Sequence, residues 1–115
     1  MTETHLKRVI LEMGTGNDLH GQDYTKAAKR AVQDALHHSS LAFFRSLQLD
    51  PNRMEIELTL AAQMPEQIDL DAVAATLPYG TVKASAVLGG LNVPDDEHGD
   101  VAVIVNAGVL VRYPL

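Results

Sequence analysis

Cysteine and tryptophan are both absent from this chain of 115 residues. Without cysteine there are no disulfides, thiolate metal sites or cysteine nucleophiles, so oxygen and imidazole are left as the reactive groups. Only two Phe and three Tyr are present. The core must therefore be aliphatic, and small cores of that kind commonly gain burial by associating with further copies, here expected as a trimer or higher. Positive charge is scarce as well, with nine Lys and Arg against fifteen Asp and Glu and a net charge of −6. A nucleic-acid partner needs a clustered basic face that displaces counterions, and Lys7 with Arg8, and Lys26 with Lys29 and Arg30, are too few to make one. Long hydrophobic runs are missing: nothing approaches about 18 consecutive apolar residues, and no apolar signal core opens the chain. The expectation is a cytoplasmic protein without a membrane partner.

What is present suits one domain, residues 1–115, since 46% hydrophobic content can fill a single core. Val9-Ile10-Leu11-Glu12-Met13 is an apolar run of strand length, expected to end at Gly14. Asp23 or Thr25 can cap a helix in which Ala27, Ala28, Ala31, Val32, Ala35 and Leu36 recur at helical spacing, continuing past His37 and His38 towards Leu41. Residues 42–49 either prolong that helix or form a separate turn, and Asp50-Pro51-Asn52 marks a turn. From Arg53 to Leu60, Met54, Ile56, Leu58 and Leu60 alternate with Glu55, Glu57 and Thr59, the pattern of a strand wet on one side. Asp69 or Asp71 starts a short helix closed by Pro78 and Gly80. Thr81 to Leu88 is a strand, Gly89 to Asp100 a loop, and Val101 to Arg112 a final strand with a break near Asn106-Ala107-Gly108. The order β-α-β-α-β-β predicts an α+β two-layer sandwich, with two helices on one face of a mixed sheet. The other face of such a sheet needs a cover, which neighbouring copies can supply.

Between the first strand and the first helix, Gly14 to Lys26 carries more chemistry than a turn requires. Gly14 and Gly16 can expose amides beside a helix start, where anions are commonly held. The glycine spacing does not fit a dinucleotide loop, and Lys26 does not follow a glycine as in a phosphate-binding P-loop. Asp18 could orient His20 as a general base, and Lys26 could bind charge. The competing reading has Asp18 and Asp23 bonding loop amides and capping the helix while His20 fills a packing gap and Lys26 is solvated. Asp18 and His20 with Asp23 could instead hold a divalent ion as hard-metal ligands, but no second histidine stands at helical spacing to support zinc, so no metal ligand is assigned and no cofactor can be named. His37 and His38 suit a helix C-terminus, Glu55 and Glu57 a solvated strand face, and Asp95 to Asp100 a flexible acidic loop.

Gly14, Gly16, Asp18, His20 and Gly21 match a Gly-x-Gly-x-Asp-x-His-Gly signature. With Asp23-Tyr24-Thr25-Lys26-Ala27-Ala28, Leu77-Pro78-Tyr79-Gly80 and Gly89-Gly90-Leu91, it resembles the Lin-type conserved hypothetical family over nearly the whole chain. The resemblance implies the site location and the single domain, and no reaction. A second resemblance, over about a fifth of the chain, is to one repeat of the ring-opening amidohydrolases of the cyanuric acid hydrolase and barbiturase group. Asp23-Tyr24-Thr25-Lys26 is similar to their Asp-Phe-Thr-Arg, and Ser85 precedes Gly89-Gly90. Their lysine would fall near Gly14 and Ser85 is not adjacent to the glycine pair, so the resemblance implies a trimeric architecture rather than a Ser-Lys nucleophile.

These observations describe a pocket for a small anionic or heterocyclic ligand, lined by Gly14, Gly16, Asn17, Gly21 and Asp23. As a hydrolase or isomerase it would use His20 as acid and base, Asp18 to orient it, the glycine amides as oxyanion donors and Lys26 to bind charge. The alternative is a non-catalytic homo-oligomer that binds a ligand or serves structure, the loop acting in assembly.

Overall fold

The computed structural model describes residues 5–37 and 46–114. Strand β1 spans Leu6–Asp18, helix α1 Tyr24–His37, strand β2 Glu55–Ala62, helix α2 Leu70–Ala74, strand β3 Thr81–Leu88, strand β4 Leu91–Asp95 and strand β5 Asp100–Pro114. They form an α+β two-layer structure: one mixed five-stranded sheet with both helices on a single face.

Strand β5 organises the sheet. Along one edge it pairs antiparallel with β1, from Leu6 opposite Pro114 to Asp18 opposite Val103. Along its other edge it pairs first with β4 over residues 100–104 and then with β2 over 106–112. Strand β3 runs parallel to β2, with Glu57 beside Lys83 and Thr59 beside Ser85. The chain leaves β3 and crosses the end of β2 to reach β4 through Gly89 and Gly90. The Gly89 N–H donates to the Ala62 carbonyl at 2.9 Å. A Cβ on Gly89 would lie 2.7 Å from the Ala61 Cβ, and one on Gly90 would overlap the Ile104 carbonyl oxygen, so the crossing admits no side chain.

Helix α1 buries Ala27, Ala28, Ala31, Val32 and Ala35 completely. The side chains at its centre are small, which lets the backbone descend onto β1, and Gly14 and Gly16 receive it. A Cβ on either glycine would overlap backbone atoms of Ala27, Ala31 or Ala35. Met54, Ile56, Leu58 and Leu60 are buried on the same side, as their alternation predicts, together with Val103, Val105, Ala107, Val109 and Val111. The Asp69 side chain accepts from the Ala72 N–H and starts α2.

Three expectations are corrected. Strand β1 does not end at Gly14 but runs on to Asp18, because the glycines occupy inward positions of a strand that a helix covers closely. The segment after Gly90 is not a loop throughout: β4 and β5 form a hairpin closed between Asp95 and Asp100, with Gly99 at φ +62°. Strand β5 is continuous through Asn106–Gly108, held by β1 on one side and β2 on the other. Helix α1 is described to His37, and the expectations for His38, Leu41 and residues 42–45 lie outside the described residues.

The second face of the sheet carries no helix among the described residues. Leu11, Met13, Leu91 and Val93 stand exposed on it, Met13 at 75%, beside the partly covered Ile104 and Leu110. The molecule measures 62 × 27 × 18 Å with a radius of gyration of 15.9 Å. A globular chain of this length has about 13 Å. No described helix is long and apolar enough to cross a membrane.

Candidate functional site

The polar residues of the Gly14–Lys26 segment divide between two settings. Asp18 is buried, 3% exposed, and is the only buried charged residue among those described. It closes β1 on the helix side, opposite Val103, and its Oδ2 accepts the Asp23 N–H at 2.9 Å. Its Oδ1 lies 3.6 Å from Lys26 Nζ and 4.0 Å from Arg30 Nη1, both on half-exposed side chains of α1. Two cations and an amide offset the burial of this carboxylate. Asp23 is the helix cap: its Oδ1 accepts the Lys26 N–H at 3.0 Å and its carbonyl the Ala27 N–H at 3.1 Å. Lys26 thus reaches back from the first turn of α1 to Asp18. Gly21, at φ +95°, bends the connection over Asp18, and its missing Cβ would lie 3.5 Å from Asp18 Oδ2. The Asn17 carbonyl accepts from Arg30 Nη1 at 2.7 Å.

His20 sits elsewhere. Its ring is 84% exposed and its Nδ1 lies 2.9 Å from Oδ2 of Asp100, at the start of β5. It therefore fills no packing gap, and the carboxylate that orients it is Asp100 rather than Asp18. The other oxygen of Asp100 accepts the Val101 N–H at 2.8 Å. The His20 hydrogen bond first, and the Val101 amide second, hold the Asp100 carboxyl below its ordinary range. A parallel pair, His98 Nδ1 to Asp95 Oδ2 at 2.8 Å, closes the adjacent hairpin. Among the described residues no group of three His, Asp or Glu side chains is arranged to hold a metal.

Gly14 and Gly16 are in the strand, under α1. The Thr15 N–H points off the sheet edge to Asp34 Oδ2 at 2.9 Å. Alternation along an antiparallel strand then turns the flanking glycine amides inward, to the β5 ladder. The structure thus brings Asp18, Gly21, Asp23 and Lys26 together, with Asn17 joined through Arg30, and places His20 on a separate exposed pair.

Three groups were not singled out from sequence. Arg30 and Asp100 complete the two polar clusters; both come from segments read as a helix surface and an acidic loop. Asn92 flanks Val103 opposite Asp18 and donates from Nδ2 to the Tyr24 hydroxyl at 2.7 Å, while its buried Oδ1 has no hydrogen-bond partner. Ser85, on β3, lies beside Thr59 on the helix-free face and is remote in the sheet from the Asp23 turn. On that same face a groove of about 440 Å³ is lined by Leu6, Glu55, Glu57, Thr81, Lys83, Ser85 and Arg112 among others.

No curated protein matches the sequence. A crystal structure of an FtsZ-like protein of unknown function from Nostoc punctiforme is similar at 36% identity with a TM-score of 0.82, covering 98% of this chain and 100% of the other. Residues 8–111 match the conserved hypothetical protein family Lin0512. That span includes Gly14 to Lys26, both helices and nearly all of β5, and so the chain belongs to the Lin0512 family.

Proposed function

We propose that this protein is a cytoplasmic homo-oligomer that holds a small ligand, its copies joined through the helix-free face of the sheet. The observation that carries the reading is the apolar strip of Leu11, Met13, Ile104, Leu110, Leu91 and Val93 on a molecule only 18 Å thick. Exposed apolar surface of this kind on a thin sheet, here Leu11, Met13 and Leu110 on one side of the Thr15–Asn106 pair and Ile104, Leu91 and Val93 on the other, marks a contact surface. The strands that carry the strip, β1, β4 and β5, present on the order of 500 Å² of one face, from about 3.3 Å per residue and about 4.8 Å per strand, one partner's share of a small specific interface. Light scattering on the purified protein tests the reading: a mass several times the 12.4 kDa chain is expected, falling on Met13→Glu. A monomer at micromolar concentration would overturn it.

A second reading rests on His20 and Asp100. A carboxylate on Nδ1 leaves Nε2 to solvent, the arrangement of an acid and base in hydrolysis or isomerisation. It predicts a ligand whose thermal stabilisation of the protein is lost in both His20→Ala and Asp100→Asn.

A further inference from the structure

We infer that the groove at the β2–β3 corner of the helix-free face is a binding site for a small zwitterion of the α-amino-acid class. The inference rests on the proposed function in taking the protein to hold a ligand, and names the ligand's chemistry.

Thr81, Lys83 and Ser85 recur at every second position of β3, so their side chains stand in one row on the groove side. None of the three side chains has a hydrogen-bond or ion-pair partner among the described residues. In the facing row of β2, Glu57 is engaged by Arg112 while Glu55 is unengaged. The groove therefore pairs one open ammonium, flanked by two hydroxyls, with one open carboxylate. Lys83 stands beside Glu57, and Glu55 is its diagonal neighbour across the parallel strands, roughly 8 Å away between backbone positions. Both line the cavity, yet they form no ion pair within 4 Å.

An α-amino acid fits between them: its carboxylate meets Lys83 and the Ser85 hydroxyl, and its ammonium meets Glu55. Leu6, half-exposed at the groove margin, offers an apolar contact for an aliphatic side chain. The charge balance of the lining, two carboxylates with one guanidinium and one ammonium, favours a ligand of zero net charge over a simple anion. The groove lies beside the apolar strip, which belongs to β1, β4 and β5, so assembly leaves its donors and acceptors in place.

The test is a titration of the native assembly with L-leucine, followed by amide chemical shifts, alongside 4-methylpentanoate and 3-methylbutylamine as analogues lacking one charge each. Saturable shifts confined to the groove lining on β2 and β3, with Leu6 and Arg112, are expected with leucine. Each analogue, and leucine on Lys83→Gln or Glu55→Gln, should bind weaker by on the order of tenfold or more. Absence of saturable shifts, analogues binding as well as leucine, or undiminished binding by Lys83→Gln would each overturn the assignment. Light scattering on the same samples reports assembly separately, so loss of the site and loss of the oligomer are distinguishable.

Discussion

The imidazole of His20 and the carboxylate of Asp100, 80 residues apart in the chain, meet at 2.9 Å and tie the end of β1 to the start of β5. The consequence can be read in pH. A carboxyl held below its ordinary value of 3.8 by folding contributes stability that is complete above that value and is lost as pH falls through the lower, folded value. Asp100→Asn is therefore expected to lower the thermal midpoint near neutrality, with the difference from wild type closing in the acid range below about 3.8. A difference independent of pH would show that the pair contributes nothing through its charge.

Asp18 answers to a different cost. Replacing it with Ala leaves the Asp23 N–H without its acceptor beside two cations, an expected loss of about 1–3 kcal/mol in urea unfolding. Asp18→Asn retains an acceptor for the amide and should lose less. The order of the two variants is the check, and equal losses would place the effect in the charge alone.

On β1, Gly16→Ala and Gly14→Ala should each cost about 3 kcal/mol or more, or prevent folding, because the new methyl meets helix backbone that has no freedom to rotate away. Gly108→Ala, on β5, is the control: its nearest neighbour is the Thr59 carbonyl at 4.0 Å, so the chain should fold as wild type by circular dichroism.

Tyr24 and Asn92 make a pair suited to a double-mutant cycle. Tyr24→Phe removes the acceptor of Asn92 Nδ2 and should destabilise by about 1–2 kcal/mol. In Tyr24→Phe with Asn92→Leu no amide is left unpaired in the interior, and much of the loss should be recovered. An additive result would mean that the hydrogen bond carries none of the effect.

The elements with a strong internal period were legible in the sequence. Strand β2 alternates from Met54 to Leu60 and α1 repeats its alanines at three and four, and both periods survive in the structure because burial acts on each residue separately. The Gly14–Gly16–Asp18 stretch hides its strand because glycine has two uses, and local sequence does not separate them. Here the spacing of two, set against the small residues of α1, marks close packing of helix on strand rather than a turn. Strand β4 was hidden for another reason: five residues including Pro94 have little propensity, and their pairing is supplied by β5. Within the candidate site, the bond of Asp18 to a loop amide and the helix cap of Asp23 were readable as local motifs. The Asp100 partner of His20 was not, since a contact of that sequence separation exists only once the sheet has formed.

The central position of β5 also governs when the sheet can form. Among the described residues every other strand except β3 pairs with it directly, and β1 has no other partner strand. Its register with β1 joins residues from the two ends of the described chain, beginning at Leu6 with Pro114. The longest pairing in the sheet therefore requires closing nearly the whole described chain, which places folding among the slower, non-local β topologies rather than the fast helical ones. During synthesis β1 is made first and waits for a partner made last, and over that interval Leu11 and Met13 are held in an unpaired strand, where capture by another nascent copy competes with completion of the sheet.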